Sequence, residues 1–148
     1  MTPSEAEVER KVRRWLAFAD EDLRFAEHGF SVSRPVPYRL IAYHAQQCAE
    51  KHLKAYLVFH AIDFPYTHSL SRLLELCAEQ ASWAEQLRDA EELTPYSITT
   101  RYPGEDEEVR EDEARRAVKI AARVRQTVRT ALEAEGFKIP EKTSEEAH

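Results

Sequence analysis

The chain has 148 residues, the size of one domain with one core. Hydrophobic residues make up 43% and charged residues 32%, a balance too apolar for a disordered chain. The net charge of −6, from 27 acidic and 21 basic side chains, excludes a general polyanion binder while leaving room for a local basic patch.

Helical spacing of Val8, Val12, Trp15, Leu16, Ala19, Leu23 and Ala26 predicts a first helix from about Ser4 to His28. Ser4 with Glu7 forms a capping-box pattern at its start. Beyond Gly29 the prolines of SVSRPVPY end that helix and make a tight connection. A second helix, about Tyr38 to His60, carries Ile41, Ala45, Cys48, Ala49, Leu53, Tyr56, Leu57 and Phe59. That apolar arc is wide enough for a central position. Pro65 breaks it, and Thr67 or Ser69 can cap a third helix holding Leu70, Leu73, Leu74 and Cys77.

A short fourth piece spans about Ser82 to Leu93, and TPYSITTRYPGED then forms the longest irregular stretch. The last helix, about Glu107 to Gly136, aligns Ala114, Ala117, Val118, Ala121, Val124, Val128, Ala131 and Leu132. Gly136 marks its stop. The fold class is therefore all-α, an up-and-down bundle of four to five antiparallel helices over residues 1–137, with a polar tail at 138–148. Replacing Leu53 or Val124 by alanine tests the helical phases: about 2 to 4 kcal/mol is lost if they lie in the core, under about 0.5 if they face water.

Cys48 and Cys77 sit in apolar patterns and read as buried thiols of a reducing compartment. No apolar run approaches the ~20 residues of a membrane span, and MTPSEAEVERKVRRW lacks a signal-peptide centre. The expected location is the cytoplasm, without membrane association.

The second helix presents HAQQCAEKHLKAYL, in which Gln46, Gln47, Glu50, Lys51 and Lys54 form a polar strip beside the apolar arc. Gln47 and Lys51, like Glu50 and Lys54, are four apart and within reach of each other. Taken alone, the strip reads as a solvated face.

Its neighbours give it more meaning. The segments WLAFADEDLRFAE, YRLIAYHAQQCAEKHLKAYLVFH, THSLSRLLEL and TRYPG before an alanine-rich final helix follow one another from about Trp15 to Leu132. In this order they resemble the HEPN family, the higher eukaryotes and prokaryotes nucleotide-binding domain. The resemblance implies a helical bundle that self-associates as a homodimer. In prokaryotes such a bundle is often encoded beside a minimal nucleotidyltransferase, the two behaving as toxin and antitoxin. The expected role is a nucleotide- or RNA-associated binding module with that partner and no cofactor. Gln47, Lys51, His68, Arg101 and Tyr102 are the candidate binding residues.

Some members of the family are metal-independent ribonucleases that carry an arginine followed after four to six residues by a histidine. A histidine can move the proton of an RNA 2′-hydroxyl, and an arginine can hold the phosphate. Arg39 and His44 have this spacing, which makes them the candidate catalytic pair of an alternative, ribonuclease reading. They begin the second helix rather than a late one, and Gln46 stands where some members carry a tyrosine.

Arg101 can fork onto phosphate and Tyr102 can stack on a base; helix capping and core packing are the structural alternatives. His44, His52, His60 and His68 recur every eight residues. That step turns a helix through about 800°, so each lies roughly 80° from the last and no metal-ligand face results. Arg13, Arg14, Arg116, Lys119 and Arg123 could form a basic patch across the first and last helices, or simply be solvated.

Overall fold

A computed structural model describes residues 3–97 and 108–139. Among these residues the elements are α1 (Glu5–Gly29), α2 (Tyr38–Phe59), α3 (Leu70–Ala78), a 3₁₀ segment (Ser82–Ser97) and α4 (Glu111–Ala134), with no strand. The up-and-down helical bundle read from the periodicity is the architecture found.

The ends of the helices follow local chemistry. Ser4 Oγ accepts from Glu7 N at 3.2 Å, satisfying one of the amides left over at the start of α1. Of the two candidate caps for α3 it is Ser69 that serves, its Oγ accepting from Arg72 N at 3.2 Å, while Thr67 Oγ1 accepts from Ser69 N at 3.0 Å. The 3₁₀ segment is interrupted at Leu87, whose φ of −101° and ψ of 18° depart from helix, and it contains Pro95. α4 begins at Glu111, later than Glu107, and the Glu113 carboxylate accepts from Arg110 N at 3.0 Å to close its first turn. Glu111, Asp112 and Glu113 there complement the positive helix end. Gly136, at φ +96°, turns the chain out of α4. Phe137 and Ile139 then return to the core, so the apolar contacts continue two residues past the expected end of the domain. The rest of the tail, 140–148, lies outside the described residues.

α2 is the hub. Ile41, Ala45, Cys48, Ala49, Leu53 and Leu57 are all buried, and α1, α3, the 3₁₀ segment and α4 pack around them. Contact with α1 is close enough that a methyl group on Gly29 would come within 2.5 Å of Ile41 Cγ1. From α4 come Ala114, Ala117, Ile120, Ala121, Val124, Val128 and Leu132, while Val118 and Ala131 sit at the margins of the stripe. Leu53 and Val124 are both at 0% exposure, so chemical denaturation of either alanine variant is expected to show the core-sized loss. No described helix is long and apolar enough to cross a membrane.

Candidate functional site

Three polar clusters surround α2, and each contains a histidine. The first joins α1 to α2. His44 and Lys51 are seven residues apart and so share one stripe of α2, with Asp22 of α1 between them. His44 Nδ1 lies 2.8 Å from Asp22 Oδ1, and Lys51 Nζ donates to Asp22 Oδ2 at 2.6 Å. Phe25 lies against the His44 ring at a centroid distance of 4.6 Å, and Tyr43 meets it edge-on at 5.1 Å. Phe18, Phe25 and Leu40 on the same two helices are exposed by 43%, 59% and 36%.

The second cluster corrects the reading of the polar strip as a solvated face. Gln46, Gln47, Glu50 and Lys54 are buried. Glu50 accepts from Lys54 Nζ at 2.9 Å and from Gln46 Nε2 at 3.0 Å, and its Oε1 lies 2.8 Å from His68 Nδ1. Lys54 Nζ also sits 5.6 Å from the ring centroids of both Trp15 and Phe64, a desolvated cation against two π-faces. Burial alone would push the Glu50 carboxyl up, but hydrogen bonds from Lys54, Gln46 and His68 outweigh it and hold it below the usual range. Gln46 Nε2 also donates to the His68 carbonyl at 3.2 Å, and Gln47 Nε2 donates to Gln46 Oε1 at 2.7 Å.

The third cluster ties α1 and α2 to α4. Asp20 accepts from Arg125 Nε at 2.8 Å and from Arg129 through a terminal guanidinium nitrogen at 3.2 Å. His52 is fully buried; its Nδ1 lies 2.9 Å from the Cys48 carbonyl, which assigns the proton to Nδ1 and leaves Nε2 as a buried lone pair without a hydrogen-bond partner. The two thiols are also buried, and burial pushes Cys77 up to about 12 and Cys48 higher still.

Residues 12–131 match the family model described as the HEPN domain. The chain belongs to the HEPN domain family. Two solved structures share the fold. One is ST0689, described as an archaeal HEPN homologue, at 28% identity and a TM-score of 0.64, over 82% of this chain and 97% of that one. The other is TT1696 from Thermus thermophilus, at 27% identity and a TM-score of 0.65, over 81% and 97%. No curated protein matches the chain.

Within this HEPN bundle the candidate residues divide between clusters. Lys51 belongs with Asp22 and His44, whereas Gln47 turns to Gln46, so the two do not pair despite their spacing. His68 is anchored on Glu50. Arg101 and Tyr102 lie outside the described residues. Arg39 and His44, five positions apart, are separated by about 140° around α2, so they do not share a helix face. The four evenly spaced histidines go to four different partners, Asp22, the Cys48 carbonyl, Glu135 and Glu50. Among the described residues no group of three metal-ligating side chains gathers. The basic patch is largely neutralised: Arg116 forks onto Glu92 at 2.7 and 2.9 Å, Arg123 pairs with Asp89, and Arg13 lies 3.6 Å from Glu9.

Asp22 and Glu50, the acids that hold His44 and His68, were not among the expected site residues. A weak signal for Asp22 exists in its position between Phe18 and Phe25, which are one heptad apart on the same stripe of α1.

Proposed function

We propose that this HEPN protein is a cytoplasmic nucleotide- or RNA-associated binding module that acts as a homodimer with a minimal nucleotidyltransferase partner, in a toxin-antitoxin-like pair. The observation that carries the association is the run of exposed Phe18, Phe25 and Leu40 beside the Asp22, His44 and Lys51 cluster, and the ligand and partner of this reading rest on membership of the HEPN family. Large apolar side chains grouped along two adjacent helices are covered by association, and a two-fold dimer covers the same patch on both copies. Gln47, Lys51, His68, Arg101 and Tyr102 are the binding residues of this reading. Light scattering at micromolar concentration is expected to give a dimer, and Phe25→Glu a monomer; a monomeric parent protein overturns the homodimer. A small nucleotidyltransferase encoded next to this gene is expected to copurify on co-expression.

The Asp22 contact of His44 supports a second reading, a metal-independent ribonuclease using Arg39 and His44, in which Arg39 would reach the phosphate from a different face of α2. With its Nδ1 proton donated to Asp22, the ring keeps Nε2 as the atom that takes a proton from a 2′-hydroxyl, while Arg39 would hold the phosphate. Incubation with total RNA separates the readings. The binding module gives no cleavage; cleavage abolished by His44→Ala supports the ribonuclease, and cleavage that survives the substitution removes His44 as the base.

A further inference from the structure

The loop between α2 and α3 runs HAIDFPYTHS and places alternate aromatic residues differently. Phe64 is half-buried, packed edge-on against Trp15 at 6.5 Å and beside Lys54. Tyr66, two residues on, is 90% exposed. The loop that carries it is tied down at its far end: Ser69 N donates to Thr67 Oγ1, Leu70 N to Thr94 Oγ1, and Gln46 holds the His68 carbonyl. An anchored loop thus leaves a large ring face in water.

His68 stands beside that ring, centroids 5.4 Å apart and planes at 74°. Its side chain is 42% exposed, yet its Nδ1 lies 2.8 Å from a carboxylate that is only 4% exposed. Donation of the Nδ1 proton to Glu50 sets the tautomer and makes Nε2 a hydrogen-bond acceptor. His44 differs in lying under Phe25 and against Tyr43, and His52 differs in being wholly buried.

We propose that Tyr66 and His68 form a nucleobase site, in which the Tyr66 ring stacks on the base and His68 Nε2 accepts a hydrogen bond from an exocyclic amino group, as adenine offers. The site rests on the nucleotide-binding part of the reading above and gives it a location and a base preference. Stacking is tolerant of base identity, whereas a fixed acceptor discriminates. Adenine in a free nucleotide and adenine in single-stranded RNA share this chemistry.

Calorimetric titration of the full chain with adenosine, inosine, AMP and a short oligo(A) tests it. Adenosine is expected to bind more tightly than inosine, which has an oxo group in place of the amine. Oligo(A) binding more tightly than AMP identifies RNA as the source, and equal affinity identifies the nucleotide. Tyr66→Ala, a surface change, is expected to weaken adenosine by about tenfold and Tyr66→Trp to restore it. His68→Ala is expected to abolish the preference over inosine in a protein whose circular dichroism is unchanged. Absence of adenosine binding in a protein that still dimerises overturns the site and leaves the homodimer standing. Adenosine binding that Tyr66→Ala leaves untouched also overturns it, placing the nucleotide elsewhere. A changed oligomeric state in Tyr66→Ala with base affinity intact assigns the ring to a subunit contact, and the proposal fails.

Discussion

Glu50→Ala is expected to destabilise the protein by about 3 to 5 kcal/mol, the usual loss when one partner of a buried ion pair is removed. Glu50 is 3% and Lys54 6% exposed, so the substitution leaves the ammonium group buried without its carboxylate. It also deprives Gln46 and His68 of their shared acceptor. The faces of Trp15 and Phe64 remain beside Lys54 and recover part of the loss. A domain of this size has only about 5 to 15 kcal/mol of stability, so the single variant sits near the edge of folding. The double variant Glu50→Ala, Lys54→Met removes both charges and keeps an apolar stem in place, and it is expected to be more stable than Glu50→Ala alone. Urea denaturation of the parent protein, Glu50→Ala, Lys54→Met and the double variant gives the coupling directly. A single-variant loss below about 1 kcal/mol would mean that water reaches the pair and that the cluster does not hold His68 as described.

The contrast between this buried cluster and the solvated face expected from its sequence shows what periodicity does and does not encode. For α1 and α4 the apolar stripe is narrow, so the opposite face must be wet, and the helices fall close to where Val12 through Ala26 and Ala114 through Leu132 place them. For α2 the two expectations were in conflict. Its arc was wide enough to make it central, and a central helix surrounded by α1, α3, α4 and the 3₁₀ segment has no wet side left for Gln46, Glu50 and Lys54. The width of the apolar arc was legible, whereas the identity of the cover was not. Trp15 comes from a helix ahead of α2, and Phe64 and His68 from the loop after it. Their arrival depends on tertiary packing that no local pattern states.

The same distinction applies to the candidate site. Glu50 was legible as a partner for Lys54, four residues on, but that it also orients His68, and that Asp22 orients His44, was not, because each of those contacts joins separate elements. The arginines of α4 show the reverse error. Arg116 and Arg123 look available in the sequence and are paired in the structure, with Glu92 and Asp89 of the 3₁₀ segment reaching them across the bundle. Charge on a helix face predicts a patch only when no neighbouring element carries the opposite sign opposite it.

His52 leads to the second large effect, a loss of stability on the acid side. Burial lowers its affinity for a proton to a pKa of about 4, against 6.5 in an unfolded chain, even though the Cys48 carbonyl and Asp20 pull the other way. Between those values the unfolded chain binds a proton that the folded one refuses, so stability falls as pH drops from about 6.5 and stops falling from this cause below about 4. A displacement of that size corresponds to about 3 kcal/mol over the window. Glu50 acts in the same direction at lower pH, since a carboxyl held below its ordinary value loses its stabilising charge as the solution becomes more acidic than the folded pKa. Urea midpoints measured from pH 7 to pH 4 are therefore expected to decline steadily, and His52→Gln, which cannot titrate, is expected to flatten the upper part of that decline. Equal slopes in the two proteins would show that His52 takes up its proton in the folded state. Protonated Nε2, 3.7 Å from Asp20 Oδ1, would then compete with Arg125 and Arg129 for that carboxylate and loosen α4 from α1 without unfolding either helix.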